Sequence, residues 1–304
     1  MKLHYYRDGT GNFGDELNPW LWGRLLPGMM DGQDDILFVG IGTILNETIP
    51  AGPRKLIFGA GVGYGRLPVV DEKWQFYCVR GPRTAERLGL PPEMAVTDPA
   101  ALVARVVRPA SARRGIGFMP HHVSAQRFDW QPLCRRLGLA YIDPGWPVDR
   151  TLAAISGVEC MLADAMHAAI VADALRVPWI PIRLYGHINE FKWMDWCDSL
   201  QIDYRPVDVE SVVDNSSQQP WRRLTGYVRR VWRTGSPIRI GKAEPVVPSP
   251  AEAVDRVADQ LSAIRHDHAQ ASLSSDSVFA DRLAELRRRL DRVSTDWASP
   301  KRIP

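Results

Sequence analysis

The residues best suited to chemistry are a histidine opening an apolar helix pattern, an arginine before a Gly-Pro turn, and a carboxylate in a glycine-containing loop. His167 ends the run Asp164-Ala165-Met166-His167, with Ile170, Val171 and Ala174 three, four and seven residues on. It therefore shares the buried side of its helix. Two readings follow: a satisfied core histidine, or a group that contacts a phosphate or carboxylate and titrates near neutral pH. The second rests on its place in the first turn, where free N–H groups and the helix dipole attract anions. Arg80 closes an apolar run ahead of Gly81-Pro82 and is a natural bidentate partner for the same anion. Asp15, within Gly11-Asn12-Phe13-Gly14-Asp15-Glu16, is a carboxylate able to orient or deprotonate a hydroxyl.

Weaker signals surround these three. Asp98-Pro99 reads either as an N-cap with proline at the first helical position or as a ligand contact. His121 and His122 are loop histidines or direct participants. Gly59, Gly61, Gly63 and Gly65 alternate beside an apolar run, which favours close backbone approach to a ligand. A dinucleotide fingerprint fits poorly, because Tyr64 or Arg66 stands where its last glycine belongs. The cysteines, at 78, 134, 160 and 197, form no C-x-x-C pair and read as small buried hydrophobes. The spacing shows no metal cluster.

These residues must be held by a scaffold. Short apolar runs alternate with longer helical patterns over residues 1–205, the pattern of α/β units. Strands are expected at 2–6, 36–39, 55–58, 76–79 and 95–97, then at 116–119, 139–142, 158–163 and 179–182. A helix capped by Asn18 and Pro19 is expected after the first strand. The polar segments fall just beyond the carboxyl ends of strands, where open parallel sheets bind ligands. The expected organisation is an N-terminal Rossmann-like domain over 1–108 and a C-terminal one over 112–205. A basic, proline-rich segment over 206–249 and C-terminal helices over 250–304 complete it.

Composition bounds the function. The chain has 304 residues, 45% hydrophobic and 24% charged, as in an ordinary soluble globular protein. Its longest nearly uninterrupted apolar run, 36–45, is too short for a membrane span, which needs roughly 20 residues. The N-terminus enters a strand pattern without a signal-peptide apolar stretch, so a cytoplasmic location is expected. Seven basic and no acidic residues lie between Trp221 and Lys242; subtracted from the net +3, they leave −4 elsewhere. That argues against nucleic acid as a partner. Trp221, Leu224, Val228, Val231 and Trp232 share a helical face ringed by arginines. This segment, 221–233, either packs its stripe on the protein or docks on an anionic membrane surface, peripheral on the inner face of the plasma membrane.

Five motifs occur in an order that resembles the polysaccharide pyruvyl transferases: G-N-F-G-D-E, F-G-A-G-V-G, V-R-G-P-R-T-A-E-R-L-G, T-D-P-A-A-L and D-A-M-H-A-A-I-V-A-D-A-L-R-V-P. The similarity runs from about residue 8 to 200 and is greatest to the bacterial exopolysaccharide ketal-pyruvyl transferases. It implies two Rossmann-like domains in a glycosyltransferase-B-like arrangement and phosphoenolpyruvate as donor, with no cofactor. The implied product is a cyclic pyruvate ketal on a glycan or lipid-linked oligosaccharide acceptor. By the same resemblance Arg80 matches the arginine that holds the donor, His167 the histidine near the second-domain helix start, and Asn12, Gly14 and Asp15 the N-terminal Asn-x-Gly-Asp. Ketal formation needs a general acid, the role expected of His167, and Gly61 and Asp98 join the expected substrate-binding residues. Relatives often carry a basic residue where this chain has Ala165; Arg83, Lys192 or His122 would substitute. The competing expectations are a nucleotide-sugar glycosyltransferase and a non-catalytic glycan-binding protein of the same fold.

Overall fold

In the computed structural model, residues 1–7, 11–214 and 247–298 are described. The basic segment 221–233, with both readings of it, lies outside them.

Four buried or half-buried runs form a first sheet: β1 (Lys2–His4), β2 (Ile36–Val39), β3 (Arg54–Phe58) and β4 (Trp74–Cys78). They are parallel and lie side by side in chain order. The expected strand at 95–97 is reduced to a single parallel bridge between Val79 and Ala95. Parallel neighbours need crossovers of a dozen residues or more. Only the first crossover holds an α-helix, α1 (Phe13–Leu25); residues 40–53 and 59–73 cross as irregular loops. This half thus lacks the regular strand–helix alternation expected of it, because glycines and prolines crowd both loops.

Helix α1 starts earlier than the Asn18-Pro19 signal implies. Asn12 caps it, accepting from the Gly14 N–H, and Pro19 falls inside. The missing proline N–H would leave the Asp15 carbonyl idle, and Asn18 Nδ2 donates to it at 3.3 Å. The rest of the buried Asn18 amide is saturated by Ile41 N–H, Ile41 C=O and Trp22 Nε1, which fixes α1 against the loop after β2.

The second sheet holds β5 (Ile116–Met119), β6 (Ala140–Tyr141), β7 (Cys160–Ala163), β8 (Trp179–Arg183) and β9 (Val207–Asp208). Its order, β6-β5-β7-β8-β9, is parallel throughout and reverses direction between β5 and β7. A crevice outside the carboxyl ends of the strands at such a switch point is where open α/β sheets bind ligands.

Short α2 (Pro82–Arg87) leaves the first sheet. In the second half come α3 (His122–Arg127), α4 (Trp130–Leu137), α5 (Val148–Ser156), α6 (Met166–Ala174) and α7 (Glu190–Ser199). Alanine-rich α6 is buried at every position except His167. Its small side chains pack against the 3₁₀ turns of Pro99–Arg105, so one apolar core runs through both halves.

The two C-terminal helices are α8 (Ala251–His266) and α9 (Asp276–Ala298). The first seals the second sheet with Val257, Leu261 and Ile264. The second returns to the first sheet, burying Leu286, Leu290 and Val293, while Arg289 donates to the Tyr77 and Glu93 carbonyls at 2.6 Å. No helix among the described residues is long and apolar enough to cross a membrane.

Candidate functional site

A cavity of about 710 Å³ opens between the halves, and its walls come from the loops beyond the strands. The first half supplies Asn12, Gly14, Asp15, Thr43 and Tyr64; the second supplies His121, His122, His167, His187 and Lys192.

His167 is one-sixth exposed, at 17%, and its Nδ1 edge lies on the Cα of Gly14. A Cβ at position 14 would stand 2.1 Å from Nδ1, so only glycine admits the ring there. Nε2 is buried without a hydrogen-bond partner, 3.9 Å from Asp98 Oδ2. Burial, with the nearby charges of Lys192 and Arg80, pushes its pKa down to about 3. It is therefore neutral at neutral pH, not the near-neutral titrating group that its place in the first turn suggests.

Asn12 and Asp15 arrive together at the start of α1, with Asn12 Nδ2 donating to Asp15 Oδ2 at 2.9 Å. Lys192, on α7, is buried and aims into the cavity. Burial and the Arg80 charge lower its pKa to about 8. Among the described residues it makes no ion pair; the Tyr64 ring is its neighbour at 5.6 Å. Ala165 lines the same cavity.

Four of the expected site residues stand elsewhere. Arg80 does not face the cavity: it is wholly buried, and its anion is the protein's own Asp195. Its Nε donates to Asp195 Oδ2 at 2.9 Å, Nη2 to the Val62 carbonyl at 3.1 Å, and Nη1 to Thr43 Oγ1 at 2.6 Å. It thus acts on the cavity through Thr43 and through its charge. Gly61 lies under that guanidinium, where a Cβ would come 2.4 Å from Cζ. Arg83 pairs with Asp198 on the half-exposed α2–α7 seam, because α2 turns it outward. Asp98 is wholly buried behind His167, and its Oδ1 caps Ala100 N–H at 2.9 Å.

Two residues enter the site that were not selected from the sequence. His121, weighed beside His122, caps α3 and pairs through Nδ1 with His187 Nε2 at 3.1 Å. Burial pushes its pKa down to about 2 and that of His187 to about 4, each helped by neighbouring cations. His187 follows β8 in Leu184-Tyr185-Gly186-His187, and the strand-end rule carried one strand further finds it. Asp164 ties the three strand ends together. It accepts from His121 N–H at 2.8 Å, Ser124 Oγ at 2.5 Å and Leu184 N–H at 3.3 Å. Among the described residues no group of three or more histidines, cysteines or carboxylates is placed to hold a metal ion.

A cavity at a switch point, walled by histidines, a lysine and a carboxylate, defines an α/β protein with a polar cleft between its two sheets. Residues 4–184 match the polysaccharide pyruvyl transferases. The chain is also 35% identical over 315 aligned positions to the succinoglycan biosynthesis protein ExoV of Rhizobium meliloti (strain 1021), covering 98% of this chain and all of that protein. No solved structure matches. The chain belongs to the polysaccharide pyruvyl transferase family and is a transferase.

Proposed function

We propose that the protein transfers pyruvate from phosphoenolpyruvate to two hydroxyls of one sugar in a lipid-linked exopolysaccharide repeat unit, forming a cyclic ketal. The observation that carries this reading is the meeting of Lys192, His167 and Asp15, from both halves, in one cavity. In this reading the halves are two Rossmann-like domains in a glycosyltransferase-B-like arrangement, divided near residues 108–112.

Lys192 supplies the cation for the donor's carboxylate or phosphate, in place of the basic residue absent at Ala165. The bound anion offsets the charges that depress His167, which takes up a proton and gives it to the donor's methylene carbon. C2 then carries oxocarbenium character, stabilised by the donor carboxylate, and one acceptor hydroxyl adds as Asp15 takes its proton. Phosphate leaves, and the second hydroxyl closes the ring. Of the two hydroxyl protons released, one replaces that delivered to carbon and the other leaves with phosphate.

The test is to incubate the protein with phosphoenolpyruvate and a lipid-linked oligosaccharide, following phosphate release and acid-labile pyruvate on the glycan. Thermal unfolding with phosphoenolpyruvate alone is the parallel measurement. Stoichiometric release and a raised midpoint are expected; neither appearing would overturn the reading.

A further inference from the structure

Behind the cavity wall two buried polar atoms face each other, each without a partner: His167 Nε2 and Asp98 Oδ2, 3.9 Å apart. An orphaned buried polar group is costly and rare, so a facing pair calls for a reason. Asp98 is held rigidly. It is wholly buried, its Oδ1 is engaged on the Ala100 N–H, and Pro99 packs against Gly59 so tightly that a Cβ there would meet its Cδ at 2.5 Å. The second carboxylate oxygen is left for the ring alone.

We propose that Asp98 is a positioning residue for His167: its Oδ2 accepts the Nε2–H hydrogen bond, so that Nδ1, on the Gly14 side, handles the proton. This rests on the reading of His167 as the proton donor. A shift of about 1 Å brings the pair to hydrogen-bond distance. The groups around the ring otherwise work against a charged His167. Burial, then Lys192 and Arg80, disfavour an imidazolium, and the neutral His121 ring and Asp15 line the same cavity. Asp98 is in turn drawn down by Arg80 and raised by Asp195, and burial dominates, to a pKa of about 6. At neutral pH the pair is therefore carboxylate and neutral imidazole. An anionic donor cancels the two cations, and Asp98 then stabilises the imidazolium that forms at Nδ1.

Asp98→Asn tests this, since asparagine caps a helix start as well as aspartate does but presents an amide that donates to Nε2. Ring-¹⁵N-histidine spectra, with His167 assigned by its loss in His167→Gln, are expected to show the Nε2–H tautomer in the wild type and Nδ1–H in Asp98→Asn. Asp98→Ser, which keeps the cap and lacks Oδ2, is expected to lose the preference, with urea midpoints showing that both variants fold. With phosphoenolpyruvate, kcat is expected to fall by ~10²–10⁴-fold in Asp98→Asn, with KM little changed and the acid limb of the pH profile displaced. An unaltered tautomer, or unaltered kcat in the folded variant, would overturn the proposal. The tautomer reading needs no substrate: a swap in a protein that does not turn over the donor sinks the pyruvyl-transfer reading and leaves the pairing standing.

Discussion

A lysine buried to 8% exposure without a direct ion pair among the described residues is an expensive residue, and Lys192 stands in that condition at the cavity wall, with Asp15 and Asp164 acting on it only from a distance. A buried charge normally acquires a partner or loses its proton. Here the pKa is only lowered to about 8, so the cation persists at neutral pH and awaits an anion. Lys192→Met keeps the aliphatic length and removes the charge. The KM for phosphoenolpyruvate is expected to rise by ~10–100-fold, the worth of a charge-assisted hydrogen bond, with kcat falling less. Donor affinity in the wild type is expected to weaken as pH rises through 8, where the lysine loses its proton. Steady-state kinetics from pH 6.5 to 9 check both, and an unchanged KM in the variant would remove Lys192 from the donor site. The sequence offered Lys192 only as one of three stand-ins for Ala165. Which one serves depends on α7 crossing to the cavity, and no local pattern encodes that.

At the scale of elements, α2 and α7 explain why the sequence found an anion site and mistook its anion. Arg80 followed by a Gly-Pro helix start is chemistry for a carboxylate, and a carboxylate is there. Helix α2 begins at Gly81 with no cap of its own. Asp195 supplies one from α7, accepting from Thr84 N–H at 2.8 Å and Thr84 Oγ1 at 2.7 Å as well as from Arg80. The approach is close enough that a Cβ on Gly81 would stand 1.8 Å from the Asp195 carbonyl oxygen. Asp195 lies 115 residues from Arg80 and 111 from Thr84, so the interaction is invisible to motif reading. Asp195→Asn leaves a buried guanidinium without its counter-charge, which typically costs about 3–5 kcal/mol. Urea unfolding is expected to show a loss of that size; a change below about 1 kcal/mol would mean that the latch does not hold the halves together.

For the whole molecule, the alternation of apolar runs conveyed two parallel α/β halves and two C-terminal helices, because periodicity is a local property. It did not convey the return of α9 to the first sheet or the loop crossovers after β2 and β3, which depend on what the finished core leaves uncovered. The same burial that shapes the site sets the pH dependence of stability. His121, His167 and His187 stay neutral in the fold down to about pH 2, 3 and 4, whereas in the unfolded chain they bind a proton below about 6.5. Below that value each favours unfolding. Asp98, raised to about 6, and Asp164, also raised by burial, act oppositely, since the fold holds their protons better than the unfolded chain does. His4, also lowered by burial, joins the other three, so the histidines outnumber the two carboxylates and unfolding takes up protons overall. Stability is therefore expected to fall as pH drops from about 6.5 towards 4. Above pH 9 the slope reverses for a different reason. The thiols of Cys78, Cys134, Cys160 and Cys197 are pushed up by burial, so they ionise first in the unfolded chain and draw it out. Urea midpoints measured from pH 4.5 to 10 are expected to trace a dome with its top between about 7 and 8.5. A flat acid side would mean that the histidines are solvated in the fold.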